Sequence, residues 1–573
     1  MAHLHKKMKK GRPYYYIREM ARVDGKPKVV NQIYLGSVER MMQMLQGAPG
    51  QPLRISAQEF GALWLAEQID RRIDFAGIVD GVIPRKAREQ GPSVGEYFLY
   101  AVFNRMVDAC SKRALPDWYR STAIQHIRPV DIDALDSQGY WKKWERASAR
   151  DIERIAALFF EKISRLEEIH ADCFMFDTTN YYTYMASDTE SELAKRGKNK
   201  EGKDWLRQIG VALLVSRNGG VPLFYREYEG NRHDSKLFER IIGEVLESMK
   251  CLTAAEGQLT IVFDKGMNSE ENIAFIDADP RVHFITSYSP YFADALIRVK
   301  LAEFAPVDTM KNRKLKQLGR DDDQLVAWRA QAELWGRRRT VIVTFNPLTA
   351  AKQRYNFDQK LLRIQQVLSE MRAKVATQNP RWANSKWVDK NYREACEALY
   401  VPADLYDVAV ERTGERWKLA SRKNHYRIAR HLERFGKNII VTDHMDWTTD
   451  EIVTASLDRY LVEKEFRQSK DDDLVGVLPL RHWTDSKIRC HVLTCVVALA
   501  YTRLLELHLR RQGVSITAAT AMREMHRLHS CLCWSNRATK PDRVIEDPNP
   551  VQAEILRAFD HEVSSGVLQK IRS

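Results

Sequence analysis

Three carboxylates stand out by their position. Asp177 is the only charged residue from Cys173 to Met185, and it ends the apolar run Cys173-Phe174-Met175-Phe176. Asp264 follows a second apolar run, Leu259-Thr260-Ile261-Val262-Phe263. An ionised carboxylate set into an apolar strand is costly unless it is paired. A metal ion is one solution. A hydrogen-bonded cap at the strand end is another, and Thr178, Thr179 and Asn180 offer local donors to Asp177. The third carboxylate is Glu463, in the pattern Arg459-x3-Glu463-x3-Arg467-x2-Lys470. Offsets of four, four and three align these side chains on one face of a helix. Such a mixed face is either a solvated surface or a metal-binding carboxylate flanked by cations. In the second case Arg forks onto phosphate oxygens and Lys acts as a point charge.

The elements that carry these residues follow from hydropathic period. Cys173 to Asp177, Ile209 to Val215 and Val221 to Tyr228 read as strands, the last two joined by a tight turn at Asn218-Gly219-Gly220. Asp234 to Met249 reads as a helix, Leu259 to Phe263 as a strand, Ser269 to Ile276 as a helix and His283 to Tyr288 as a strand. This is an α/β layer. A basic loop with Lys195, Arg196, Lys198, Lys200 and Lys203 separates the first two strands. Residues 12–36 read as short strands about an Asp24-Gly25 hairpin signal. Residues 56–165 read as helical, with Arg105, Lys112, Arg113, Arg120 and Arg128 adding charge compatible with DNA binding. Residues 290–440 break the rhythm, mixing strand-like pieces with a helical stretch from Phe357 to Ala376. They read as a separate inserted domain. From Thr448 the chain is helical again, Val492 to Leu505 is apolar enough to be buried, and 507–573 reads as a basic helical tail.

Composition narrows the class. The 573 residues predict three or four domains at about 150 residues each. With 44% hydrophobic and 29% charged residues the chain is globular. Ninety Lys and Arg against 76 Asp and Glu leave a net charge of +14, which favours a polyanion, nucleic acid before an anionic membrane. Eight cysteines without a Cys-x-x-Cys pair point to a reduced, cytoplasmic protein. The basic stretch His3 to Arg12 runs into Pro13 and Tyr14 rather than an apolar segment. The longest apolar run, Val492 to Tyr501, is about half a membrane span. These features exclude secreted and integral-membrane classes. Gly197 to Asp204 is similar to a phosphate loop but lacks the Mg²⁺-holding Ser or Thr and follows no strand. His526, His529, Cys531 and Cys533 lack the paired spacing of a zinc site, so packing is the better reading. Trp328, Trp335, Trp382, Trp387 and Trp417 lie among cations in the insertion. One of them is suited to stacking on a displaced base, and core packing is the plainer role for each.

In order and spacing, several motifs resemble bacterial insertion-sequence transposases of the DDE type. They are Phe176-Asp177-Thr178-Thr179-Asn180, Gly220-Val221-Pro222-Leu223, Glu229-Gly230-Asn231-Arg232-His233-Asp234 and Val262-Phe263-Asp264-Lys265-Gly266-Met267. The branch is the long-chain one of the insertion-sequence-four superfamily, whose signature is Tyr-x2-Arg-x3-Glu-x6-Lys. Arg459, Glu463 and Lys470 match it, and Ser456 stands at the Tyr position. Arg481-His482-Trp483 with His491, Cys110 to Leu115 with Trp118, and Tyr34-Leu35-Gly36 add to the likeness.

The resemblance implies an α/β fold with a ribonuclease-H-like core interrupted by a β-rich insertion. The implied layout is a short-strand region at 1–50 and a helical DNA-binding domain at 51–165. The core lies at 166–289 and 441–506 about an insertion at 290–440, and a helical tail runs over 507–573. It implies that Asp177, Asp264 and Glu463 are catalytic and hold two Mg²⁺, with Mn²⁺ able to substitute, while Arg459, Arg467 and Lys470 bind DNA phosphates. The implied reaction is cleavage at terminal inverted repeats and strand transfer to target DNA. The implied partners are those double-stranded DNAs and a second copy in a synaptic homodimer, in the bacterial cytoplasm at the nucleoid, with no membrane. The runner-up is a domesticated or decayed copy that binds DNA without cutting it. A third reading is a nuclease of the same fold that cuts without joining.

Overall fold

The computed structural model describes residues 2–9, 12–23, 26–38, 52–169, 173–186, 189–197, 202–232, 234–249, 258–291, 293–470, 475–478, 480–535 and 540–571. The chain forms two compact units. One comprises Met1–Arg72, Cys110–Ser137 and Leu505–Ser573, and the other Ile73–Ala109 and Gln138–Leu504.

The second unit is built on one mixed sheet. Its first five long strands are β1 (Cys173–Thr183), β2 (Arg207–Ser216), β3 (Pro222–Glu229), β4 (Leu259–Phe263) and β5 (Val282–Tyr288). They lie in the order β3-β2-β1-β4-β5. β1, β2 and β3 are antiparallel neighbours, β4 runs parallel to β1, and β5 runs parallel to β4. Buried residues run almost continuously along β1, β2 and β4, the mark of strands covered on both faces. Gly219 and Gly220 take φ of 87° and 67°, which fits the tight β2–β3 turn expected there. The parallel steps need crossovers, and the helices Asp234–Met249 and Glu270–Asp277 supply them. Phe238 of the first crossover packs on Phe176 of β1 at 6.0 Å and on Phe263 of β4 at 4.8 Å, fixing these two strands under one helix.

The segment 290–440 differs from the separate inserted domain that the sequence suggests and from the β-rich one that the resemblance implies. Its strands β6 (Val326–Leu334) and β7 (Arg337–Phe345) join the same sheet through β8 (Lys437–Thr442), which pairs antiparallel with both β5 and β7. The remainder is mainly helical, with helices Pro347–Ala376 and Ser385–Ala398 beside one hairpin, Tyr406–Thr413 and Arg416–Lys423. The physical reason is legible afterwards. Arg339 to Thr344 is buried throughout, as an interior strand is. Leu361, Ile364, Leu368, Met371 and Val375 recur every three or four residues and form a helical stripe with its own apolar cluster.

In the first unit, strands Ala2–Lys9, Arg12–Val23 and Lys26–Gly36 form an antiparallel sheet. The expected Asp24-Gly25 turn lies outside the described residues, as do Lys198 and Lys200. The strand His529–Ser535 pairs with both Pro52–Glu59 and Asp542–Ile545. The tail over 507–573 therefore carries strands as well as the helices Ala518–His526 and Pro550–Ala558. The expected helical block 51–165 is divided between the units. Helix Val94–Val107 is buried on nearly every side and Ala149–Leu166 along one face, so both serve as core scaffold of the second unit.

At the N-terminal ends of β4 and β5 lies a buried polar cluster. His283 Nδ1 is 2.8 Å from Asp443 Oδ2, and the Phe284 N–H donates to Asp443 Oδ1 at 2.9 Å. The His444 ring stacks on Trp447 at 4.0 Å, with its Nε2 2.8 Å from Thr260 Oγ1. The hydrogen bond to Asp443 raises the His283 pKa. Burial, aided by neighbouring His283, pushes His444 down to about 4. A group depressed in the fold is protonated first in the unfolded chain, so His444 lowers stability as pH falls from about 6.5 toward 4. His283 acts in the opposite sense, because its raised pKa adds stability below the unfolded value. His444→Gln should therefore lose less stability than wild type between pH 7 and pH 5, by about 2 kcal/mol in urea unfolding. Equal losses would show that His444 titrates as a free imidazole.

Candidate active site

Strand register brings two of the three carboxylates together. Cys173, Phe174 and Met175 of β1 pair with Thr260, Ile261 and Val262 of β4. Two residues on, Asp177 is level with Asp264, which directly follows the end of β4. The strand-end alternatives now separate. Asp264 opens the short 3-10 turn Lys265–Met267 but makes no side-chain cap to it. Asp177 is half-buried, and its Oδ1 accepts the Thr178 N–H at 2.8 Å, one of the local donors the sequence offered.

Glu463 comes from the helix Tyr460–Lys470, which packs along β1 and β2. The inward residues of that helix are Val462, Glu465, Phe466 and Ser469, while Glu463 and Arg467 are exposed. Arg459, just ahead of the helix, joins the two elements. Its Nη2 is 2.9 Å from Glu463 Oε1 and its Nη1 is 3.7 Å from Asp264 Oδ1. The Asp264 and Glu463 side chains are 40% and 46% exposed, open enough to meet a ligand. Lys470 sits at the far end of the helix with its Nζ 5.6 Å from the Tyr181 ring. Ser456 is half-buried in the preceding helix Thr449–Leu457, and Tyr460 is 54% exposed.

Three contacts that the sequence does not announce hold this helix. Glu465 and Arg503, both almost wholly buried, pair at 2.6 Å and tie it to the long helix Asp485–Arg511. Asp458 pairs with Arg217 at 2.7 Å, next to the Arg459 backbone. Ser469 Oγ donates to the Phe466 carbonyl and lies 2.6 Å from the Tyr181 hydroxyl, which is left to donate to it. Burial pushes the Tyr181 phenol far above its ordinary pKa, so it keeps that proton. One signal was available: Glu465 falls on the apolar positions 462, 466 and 469, and a charge there must find a buried partner.

Among the described residues no three His, Cys, Asp or Glu side chains stand close enough together to hold a metal ion as they are. In kind, the three carboxylates fit a hard cation such as Mg²⁺, which takes oxygen ligands. The guanidinium of Arg459 stands between two of them. The cysteines and histidines of the C-terminal cluster have other contacts. His529 bonds Glu546 at 2.9 Å, and Cys531 and Cys533 lie in the strand paired to Pro52–Glu59. In the insertion, Trp382, Trp387 and Trp417 are faced by Lys374, Arg381 and Arg412, and Trp335 packs on Phe284 and Tyr288.

The sequence profile of the transposase DDE domain family matches residues 177–502, more than half of the chain. The chain belongs to that family. The match begins at Asp177 and spans Asp264 and Glu463. A DDE transposase is a DNA-cleaving, phosphoryl-transfer enzyme. A solved structure of piggyBac transposase, a synaptic complex with hairpin DNA, aligns over 81% of this chain and 78% of its own, at 8% identity and a TM-score of 0.36. No curated protein matches the chain. The helix Asp485–Arg511 is long and apolar enough to cross a membrane, but most of that apolar stretch is buried inside this DDE transposase.

Removing one partner of a buried ion pair strands the other, at a cost of about 3–5 kcal/mol. Glu465→Ala should destabilise the protein by about 3 kcal/mol in chemical unfolding, and Glu465→Leu with Arg503→Met should recover most of that. A near-neutral single variant would show that the pair does not anchor the helix.

Proposed function

We propose that this DDE transposase binds the terminal inverted repeats of a bacterial insertion sequence, cleaves DNA strands at those ends and joins them to target DNA. The observation that carries the reading is the convergence of strand and helix. Asp177, within β1, is level with Asp264, which directly follows the end of the parallel strand β4, and one arginine ties Asp264 to Glu463. The strand order β3-β2-β1-β4-β5, three antiparallel then two parallel, supports a ribonuclease-H-like core. Glu463 and Lys470 on one helix, with Arg459 directly ahead of it, support the Tyr-Arg-Glu-Lys branch of the insertion-sequence-four superfamily, with Ser456 in place of the Tyr.

In this reading Asp177, Asp264 and Glu463 would hold two Mg²⁺, or Mn²⁺, whose chemistry is to activate a hydroxyl nucleophile and to steady the leaving oxygen. The chain's own residues do the rest. The Tyr181–Ser469 and Glu465–Arg503 contacts fix the helix on the sheet, so that Glu463 stays within reach of Arg459, which also reaches Asp264. Arg467 and Lys470 lie further along that helix, where a DNA backbone crossing the strand ends meets positive charge. Joining consumes the energy of the phosphodiester that is broken, so no nucleotide cofactor is needed. Pairing of two copies would bring two element ends together before joining.

The test is cleavage of a linear DNA carrying the gene's own flanking sequence, with Mg²⁺ or with EDTA, by wild type and by Glu463→Gln. Nicks at the repeat ends that require Mg²⁺ and vanish in Glu463→Gln, with end-binding nearly intact, are expected. Loss of binding in that variant would make Glu463 structural. Tight end-binding with no cutting by wild type would favour the inactive, DNA-binding alternative.

A further inference from the structure

The proposed metal ligands are not idle in the folded chain. Arg459 holds Glu463 and reaches Asp264 with two nitrogens of one guanidinium. That cation stands between two carboxylates that a divalent ion would need, and its charge would repel the ion at close range. The neighbouring backbone is fixed by Arg217–Asp458 and the helix by Glu465–Arg503. Freeing the carboxylates therefore needs only a side-chain rotation of Arg459, which is a quarter exposed. Its planar fork suits a phosphate as well as a carboxylate, but one guanidinium cannot bridge both carboxylates and also clamp a phosphate.

We propose that Arg459 is an exchangeable counter-ion that couples the two ligands of the site. Without DNA it neutralises Asp264 and Glu463 and weakens divalent-cation binding. When a DNA phosphate draws the guanidinium away, the carboxylates are released to the cation. Coupling of this kind is reciprocal, so the cation must tighten DNA binding by the same factor. The biological consequence is a site that assembles on DNA and stays closed to metal elsewhere. This inference rests on the proposed reading that Asp264 and Glu463 bind the cation.

Mn²⁺ binding to the whole protein, followed by the electron paramagnetic resonance of free Mn²⁺, tests it without any cleavage. The comparison is wild type, Arg459→Gln, Arg459→Lys and Glu463→Gln, each alone and with a short duplex of the flanking sequence. Wild type should bind Mn²⁺ weakly alone and at least fivefold more tightly with the duplex. Arg459→Gln should bind tightly without DNA and gain little from it, with Arg459→Lys between the two. Arg459→Gln and Arg459→Lys that both bind Mn²⁺ no better than wild type would overturn the counter-ion role. If Glu463→Gln nevertheless loses Mn²⁺, the metal site itself survives that result. Glu463→Gln that binds Mn²⁺ like wild type would overturn both the metal site and the inference built on it.

Discussion

One guanidinium joins two carboxylates carried by different elements: Arg459 lies 2.9 Å from Glu463 and 3.7 Å from Asp264. Like charges repel, and a cation between them offsets that repulsion. The chain answers it locally in different ways. Asp177 receives a backbone N–H from Thr178, while Asp264 and Glu463 share Arg459. None of these contacts is deeply buried, so each can be exchanged for a stronger one. Such reversibility suits the proposed binding of a cation and a DNA phosphate.

The exchangeable contacts stand on contacts that do not exchange. The parallel register of β1 and β4 sets the level of the two aspartates, and Phe238 locks both strands under one helix. The helix bearing Glu463 is pinned from its inner face by Glu465–Arg503 and from its far end by Tyr181–Ser469. Charge is thus used twice on one helix. Outward it is solvated and available to ligand, and inward it is desolvated and structural. The inward pair is costly to break because its partner would be left buried without compensation.

Much of the core was legible in the sequence because its strands hold short apolar runs, although β1 continues past Asp177 to Thr183, where no apolar run marks it. Cys173 to Asp177, Ile209 to Val215 and Leu259 to Phe263 all lie in strands where the apolar period indicates them. The helix carrying Glu463, Arg467 and Lys470 was legible from its spacing, with Val462, Phe466 and Ser469 turned inward, but Arg459, expected on the same helix, lies in the turn just ahead of it. The sheet partners of the 290–440 segment were not. An apolar run such as Val341 to Phe345 states that a strand is buried on both faces, but not which strand lies beside it. Hydrogen bonding to β8 across some hundred residues decides that. The division of 51–165 between two units was hidden for a similar reason, since helical period reports a buried face without its partner. Arg459 reaching Asp264 joins positions far apart in sequence, and only the packing of the helix along β1 reveals it.

The most direct measurement of whether Asp177, Asp264 and Glu463 share one cation is localised backbone scission. Fe²⁺ loaded in place of Mg²⁺, on the protein bound to its element-end duplex, reduces added hydrogen peroxide to hydroxide and a hydroxyl radical, with ascorbate returning Fe³⁺ to Fe²⁺, and the radical cuts the chain within a few ångströms of the metal. Cuts close to residues 177, 264 and 463 together, suppressed by excess Mg²⁺, are the predicted result. Cuts at only one of these positions, or a pattern that Mg²⁺ does not suppress, would contradict a shared site.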